Sequence, residues 1–437
     1  MKVGFVSLGC SKNLVDTEMA IGLFESKKFE IVNNPSKADI IIVNTCGFIE
    51  SAKTEAINTL LEMAEYKTNG KCKYLVAMGC LVQRYKADLE RAMPEVDMFI
   101  SIDEYKDFWK KIVELIGIDN IKSKNTLDYM DRIISTGDTT AYLKIAEGCS
   151  NRCTYCAIPY IRGPYESRKF EDIIAEAKKL AKSGIKELIV IAQDTTKYGI
   201  DLYGKSRLAE LLTELSKISG IKWIRFLYAY PESIDSKLIK VVKENDKICN
   251  YFDIPIQHIS DKVLKMMARK TTGDDIRKII SKIRKEIPDV ILRTSLIVGF
   301  PGETEEDFFE LYEFVNEAKF DKLGVFKYSK EEGTPASRIK NGTVHPKTKE
   351  ARRNKIMSLE KQISKIKLEE KIGNVYEAIV DGFTIDNEYI IARSYMDIPD
   401  EDGVIYIKND NKTKIGDFIK CEITDTIEYD LVGKKIK

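Results

Sequence analysis

No stretch of this sequence is apolar for the roughly 18 residues needed to cross a bilayer as a helix. The longest runs, such as residues 40–43 and 188–192, are strand-sized, so an integral helical membrane protein is excluded. The first eight residues carry no basic segment, extended apolar core or small-residue cleavage site, and a cytosolic location is expected. Neither sign of charge dominates: 70 Lys and Arg face 69 Asp and Glu, so the chain as a whole lacks the basic footprint of a general polyanion binder. Nine cysteines in a reducing compartment argue against a disulfide framework and leave metal ligation, catalysis or burial. What is present is an ordinary globular composition, 43% hydrophobic and 32% charged over 437 residues. That length suits two or three cores rather than one.

The first hundred residues repeat one step three times. Residues 2–8 lead to Gly9-Cys10, residues 38–44 to Thr45-Cys46, and residues 74–78 to Gly79-Cys80. Amphipathic stretches at 16–25 and 55–64 follow, the pattern of βα units in a parallel sheet. An α/β domain over 1–118, closed by a helix near 105–116, and a polar linker over 119–139 are expected. From residue 140, strand-like runs at 142–146, 187–192, 223–228, 252–256, 290–298 and 323–328 alternate with helix-length segments. Six such units predict a partial (βα)6 barrel over 140–372, with chemistry at the strand C-terminal ends. Residues 347–371 are highly charged and free of Gly and Pro, which predicts a spacer helix. Five short alternating runs with turn signals predict a small five-stranded β-barrel over 373–437.

Cys149, Cys153 and Cys156 form a C-x3-C-x2-C run directly after the first barrel strand. Three thiolates can hold a cubane iron-sulfur cluster by three irons and leave the fourth open. Zinc is the competing ligand, but a closed zinc site wants four ligands and no second CxxC or CxxH pair exists. Cys10, Cys46 and Cys80 each follow a parallel strand at the same step, where ligands of open α/β sheets gather. They form a candidate second three-cysteine cluster, against the plainer reading of three small buried residues. Cys72, Cys249 and Cys421 lack such placement, and burial is expected for each. Gly299 to Gly302 has neither the spacing nor the Lys-Ser/Thr of a phosphate loop, so a tight turn comes first and a cofactor contact second. Lys12, Asp194 and His258 are candidate catalytic residues and Arg168 a candidate cofactor contact, with ion pairing or a satisfied structural histidine as the alternatives.

These residues carry a resemblance. The segment Gly148-Cys149-Ser150-Asn151-Arg152-Cys153-Thr154-Tyr155-Cys156 resembles the radical S-adenosylmethionine superfamily. With Leu8-Gly9-Cys10-Ser11-Lys12-Asn13, Asn44-Thr45-Cys46-Gly47-Phe48-Ile49 and Gly79-Cys80-Leu81-Val82-Gln83-Arg84-Tyr85, the whole chain resembles the methylthiotransferase family. The resemblance implies two 4Fe-4S clusters and S-adenosylmethionine used both as methyl donor and as radical source. It also implies Tyr155 near the adenine, Arg168, Gly299 and Gly302 as cofactor contacts, and a terminal barrel of the TRAM, OB-like type. Ser11, Lys12 and Asp194 stand where the transfer-RNA branch usually has glutamine, methionine and asparagine. They favour the branch that modifies the β-carbon of an aspartate in the twelfth small-subunit ribosomal protein. The implied partners are that protein or the assembled small subunit, an electron donor such as flavodoxin or ferredoxin, and a sulfur donor that the sequence does not identify. Methylthiolation of a transfer-RNA adenosine, and a non-catalytic iron-sulfur electron carrier, are the alternatives.

Charge bears on the choice independently. Residues 374–437 hold 14 acidic and 8 basic side chains, and an acidic barrel suits a basic ribosomal protein better than RNA phosphates. Asp400, Glu401 and Asp402, at a predicted turn, are expected to face that partner.

Overall fold

The computed structural model describes residues 1–118 and 126–436; the first part of the expected linker, 119–125, lies outside the described residues. The amino-terminal domain is a parallel sheet of five strands: β1 (Lys2–Ser7), β2 (Glu30–Ile31), β3 (Ile40–Thr45), β4 (Tyr74–Gly79) and β5 (Met98–Ile100), in the order β2-β1-β3-β4-β5. Strand alternation splits its apolar residues between two faces. Ile41, Val43, Leu75 and Ala77 pack with Leu60 and Met63 on one side. Ile40, Ile42, Val76 and Met78 pack with Phe24, Trp109 and Ile112 on the other. Coverage of both faces explains the unbroken isoleucine run. The edge strands β2 and β5, two and three residues long, are too short to leave a periodic signal.

The central domain contains β6 (Thr140–Lys144), β9 (Glu187–Ile191) and β10 (Trp223–Phe226) as one parallel sheet, and β11 (Tyr251–Asp253), β12 (Ile291–Val298) and β13 (Lys322–Lys327) as another. Backbone bonds from Ile224 N to Lys247 O (2.7 Å) and from Cys249 N to Ile224 O (2.9 Å) join the halves, completing six strands of a partial barrel. A two-stranded ribbon, β7 (Ala146–Glu147) with β8 (Glu166–Ser167), brackets the segment that holds the cysteine run. Helices Phe170–Lys182, Leu208–Ser216, Ser236–Lys243, Gly273–Glu286 and Glu305–Ala318 cover the outside. The last two begin with reciprocal Thr–Asp caps that satisfy the orphan first-turn amides.

The expected spacer helix is not a spacer. Helix Pro346–Glu369 buries Ile356, Leu359 and Ile363 in the barrel core, because three apolar residues at helical spacing form a stripe that the charged composition conceals. Beyond it, β14 (Val375–Phe383), β15 (Tyr389–Ser394), β16 (Ile405–Lys408), β17 (Phe418–Ile427) and β18 (Asp430–Lys435) close into a barrel in the order β14-β15-β16-β18-β17. It docks on the central domain through Glu187, which takes Arg393 at 2.8 Å and Arg225 at 3.1 Å with all three side chains buried. Cys72, Cys249 and Cys421 are buried, as expected. Among the described residues no helix is long and apolar enough to cross a membrane.

Candidate active site

The Cys149–Cys156 segment folds as a loop whose ends are pinned. Gly148 has φ +67°, and a Cβ there would fall 1.9 Å from Pro164 O, so only glycine lets the loop close on residues 163–164. Cys149 N donates to Gly163 O at 3.1 Å and Thr154 N to Met267 O at 3.0 Å. Asn151, inside the loop, donates to Asp194 Oδ2 at 2.8 Å and accepts from Lys197. Asp194 is thereby a positioning residue for the loop. Burial pushes the thiols of Cys149 and Cys156 up, opposed by the amides of Asn151 and Ile158. Tyr155 is half-buried against Val263, Met267, Phe300 and Tyr328.

The second triplet is assembled from three strand ends. Cys10 caps helix Ser11–Ser26, Cys46 follows β3, and Cys80 begins helix Cys80–Ala92. Their loops touch: a Cβ on Gly9 (φ +86°) would lie 2.7 Å from Cys46 Cβ, and one on Gly47 2.6 Å from Leu81 Cα. Asn13 ties all three together, donating to Leu8 O (3.0 Å) and Thr45 O (3.1 Å) and accepting from Cys80 Sγ at 3.3 Å. Cys10 keeps access to solvent although protein surrounds it on most sides. Burial pushes its thiol up, but Lys12, Arg162 and the amides of Asn13 and Lys12 outweigh that and hold it below the usual thiol range. Burial drives Cys80 up to about 12 and raises Cys46 as well.

Among the described residues no group of three or more His, Cys, Asp or Glu side chains is arranged around a single metal ion. Each triplet is a set of thiols, with backbone amides aimed at Cys10, Cys46, Cys149 and Cys156. That donor set fits a cubane, which spreads its thiolates over three irons and gains hydrogen bonds to sulfur.

The triplets share one interface. Cys80 packs against Ala157 and Ile161, and Ala157 directly follows Cys156. Beside this contact lies a buried charge network that sequence reading missed. Arg162 donates to Asn13 Oδ1 (2.6 Å), Asp16 Oδ2 (2.9 Å) and Glu147 (3.0 Å). Lys144 donates to Asp16 Oδ1 (2.5 Å) and Glu147 Oε2 (2.8 Å). Two cations meet two carboxylates, so the desolvated charges compensate. Burial pushes Glu147 up, but Arg162 and Lys144 outweigh it and hold the carboxyl well below its usual range. The available signal was a lysine inside the buried strand run of β6.

Lys12 is buried, with Nζ 3.3 Å from the centroid of the Tyr228 ring. Burial lowers its pKa, and the charges of Cys10, Arg162, Asp253 and Glu401 act on it in turn. Tyr228, at the end of β10, has φ +61° and donates its amide to Asp253 Oδ2 at 3.0 Å.

Other candidates sit in supporting roles. His258 is buried; its Nδ1 accepts from Ser260 N at 3.1 Å and its Nε2 lies 4.0 Å from Glu303 Oε2. Burial lowers it to about 3, so it is neutral near pH 7, and its Nε2 has no hydrogen-bond partner among the described residues. The turn after β12 uses Gly299 (φ +73°) and Gly302 (φ +88°), and the Gly299 amide is taken by Glu303 Oε2 at 2.6 Å. Arg168 donates to Lys144 O and Glu176 Oε2, both at 2.6 Å, and stacks on Tyr129; neither bond goes to the cysteine loop. The acidic turn departs from expectation. The Asp402 side chain is 3% exposed and accepts from Tyr251 OH at 2.7 Å and Ile398 N at 3.0 Å, while Glu401 pairs with Arg293. Asp402 holds the barrel to the central domain instead of facing a partner, because its donor Tyr251 comes from a strand more than a hundred residues away, whereas Asp400 and Glu401 keep solvent-exposed side chains.

Residues 143–315 match the radical SAM superfamily, residues 2–101 the Uncharacterized protein family UPF0004, and residues 372–436 the TRAM domain. The ribosomal protein uS12 methylthiotransferase RimO of Alkaliphilus oremlandii is 63% identical over 99% of both chains. That of Acetivibrio thermocellus is 51% identical over 100% of this chain and 98% of its own. The chain belongs to the RimO family. Among solved structures, the radical S-adenosylmethionine methyltransferase TsrM of Kitasatospora setae covers 77% of this RimO-family chain and 76% of its own. It has a TM-score of 0.56 and 13% identity, a likeness of fold alone.

Proposed function

We propose that this chain methylthiolates the β-carbon of one aspartate in the twelfth small-subunit ribosomal protein. It uses two S-adenosylmethionine molecules, one as methyl donor and one as radical source, and an external sulfur. The carrying observation is that Cys80 shares a packed cluster with Ala157 and Ile161, so the two cysteine triplets border one interface, which supports a sulfur-bearing site beside a radical site. When bound, a 4Fe-4S cluster on Cys149, Cys153 and Cys156 supplies with S-adenosylmethionine and an electron the radical that takes hydrogen from carbon, and a second on Cys10, Cys46 and Cys80 supplies the sulfur acceptor. The chain's own part is positional. Asp194 and Asn151 fix the radical loop, Asn13 gathers the three strand ends, and Arg162 ties the two together.

The reading divides the chain into 1–118 for the sulfur-bearing domain, 119–139 as linker, 140–372 for the radical domain and 373–437 for the TRAM-like barrel. The partner is the ribosomal protein, free or in the assembled small subunit, with an electron donor such as flavodoxin or ferredoxin. The acidic composition of residues 374–437 supports a basic protein partner over transfer RNA. Mass analysis of that ribosomal protein after incubation with reconstituted enzyme, S-adenosylmethionine, sulfide and reductant tests the proposal. A methylthio group on the aspartate is expected, and modification of transfer RNA alone would overturn it.

A further inference from the structure

Lys12 stands apart from the other buried cations of the domain interface. Lys144 and Arg162 each meet two carboxylates, and Arg293 faces Asp253, Glu401 and Asp402. Lys12 is 4% exposed, yet among the described residues its ammonium makes no hydrogen bond or ion pair; it lies over the Tyr228 ring and feels the charges of Cys10, Asp253 and Glu401 only at longer range. The adjacent Ser11 hydroxyl is also buried without a partner. The nearby acids do not fill the gap: Asp253 accepts the Tyr228 amide and lies 3.7 Å from Arg293, and Glu401 pairs with Arg293. A desolvated, unpaired ammonium is costly, and an anionic ligand with acceptor oxygens would offset that cost.

The location says which anion. Lys12 is two residues from Cys10, on the first turn of helix Ser11–Ser26. Tyr228 sits at the C-terminal end of β10, and its carbonyl accepts from Thr195 N, next to the Asp194 that holds the radical loop. An anion on Lys12 therefore lies between the two triplets. Resting on the substrate reading above, we propose that Lys12, aided by the Ser11 hydroxyl, binds the side-chain carboxylate of the target aspartate. The carbon to be modified is bonded directly to that carboxylate, so gripping the carboxylate places the β-carbon within one bond of a fixed point. Lys12 is a substrate-binding residue that determines specificity.

The test compares two synthetic peptides spanning the target loop, one with the aspartate and one with asparagine there, binding to the reconstituted full chain. Wild type is expected to bind the aspartate peptide about tenfold or more tightly than the asparagine peptide, the range for a desolvated charge pair. Lys12→Met should lose most of that preference while binding the asparagine peptide within about twofold of wild type, and Lys12→Arg should recover part of it. A Lys12→Met protein that keeps the preference, or that weakens on both peptides equally, overturns the assignment, as does one that loses S-adenosylmethionine binding with the peptide preference intact. Should Lys12→Met fail to fold by iron content and unfolding, wild type decides alone, because equal affinity for the two peptides overturns the assignment. Wild type that binds and modifies neither peptide sinks the substrate reading itself. Wild type that modifies the aspartate peptide beside a Lys12→Met with unchanged preference sinks only the role of Lys12.

Discussion

The two cysteine triplets reach similar donor sets by opposite routes. One is local: three thiols within eight residues, on a loop closed by Gly148 and braced by Asn151 and Asp194. The other is topological: three thiols separated by 36 and 34 residues in sequence, brought together because β1, β3 and β4 are neighbours and a cysteine follows the end of each. Their fields differ too. The difference lies at one thiol: Lys12 and Arg162 pull Cys10 down, whereas burial raises Cys46 and Cys80 as it does Cys149 and Cys156. Two cations therefore flank Cys10 on the topological side, while Lys197 acts on Cys149 on the local side.

The sharpest way to break this comparison is to remove one triplet at a time. Reconstituted wild type should hold about eight irons, and Cys149→Ala/Cys153→Ala/Cys156→Ala roughly four, with 5'-deoxyadenosine formation abolished. Cys10→Ala/Cys46→Ala/Cys80→Ala should also hold roughly four but keep 5'-deoxyadenosine formation while losing methylthiolated product. Iron analysis and chromatography of the nucleoside decide it; iron unchanged by either triple substitution would end the two-cluster proposal.

A second test asks whether the interface network belongs to the topological triplet. Arg162→Met leaves Asp16 and Glu147 short of a buried cation and should destabilise the protein by about 3–5 kcal/mol. Asn151→Ala, which strips one donor from Asp194 beside the local triplet, should cost about 1–3 kcal/mol. Denaturant unfolding of the two variants gives the order, and a smaller cost for Arg162→Met would reverse the comparison.

The same contrast explains what the sequence disclosed. The C-x3-C-x2-C spacing and the strand-end cysteines were legible because both depend on local pattern, as was the five-stranded terminal barrel with its turn pairs. Arg162, Asp16, Lys144 and Glu147 were not, since charges up to 146 residues apart become partners only through the packing of helix Ser11–Ser26 on β6. Asp402 read as a turn acid because Tyr251, its donor, is 151 residues away. Lys12 was legible as a candidate from its motif, but its lack of a partner is a property of the folded interface.

A background must be subtracted before pH effects are assigned to either triplet. Glu360, on helix Pro346–Glu369, is buried with Oε2 unpartnered. Burial, reinforced by Asp321, pushes it up to about 8. The folded state thus keeps a proton that the unfolded chain loses near pH 4.5, and stability falls as pH rises from there to about 8. Glu360→Gln should flatten that fall and gain on the order of 2 kcal/mol at pH 8. Thermal unfolding across the range checks it; an unchanged slope would place the carboxylate charge elsewhere.

The smallest expected effects lie in the acidic turn, and they test whether it serves the cation-rich side by contact or only by field. Asp402→Asn keeps the shape of a buried acceptor of the Tyr251 hydroxyl but removes its charge beside Arg293, and should cost about 1–2 kcal/mol. Glu401 is different: its side chain is 42% exposed where it meets Arg293, so water and salt screen most of the attraction. Glu401→Gln should change stability by less than about 1 kcal/mol and the KM for the ribosomal protein by less than about twofold. That small change should vanish at high ionic strength, where exposed charges interact over about 3 Å at 1 M salt. A large, salt-resistant rise in KM for Glu401→Gln would mean that this carboxylate touches the substrate, and the turn would then join Lys12 as part of the recognition surface.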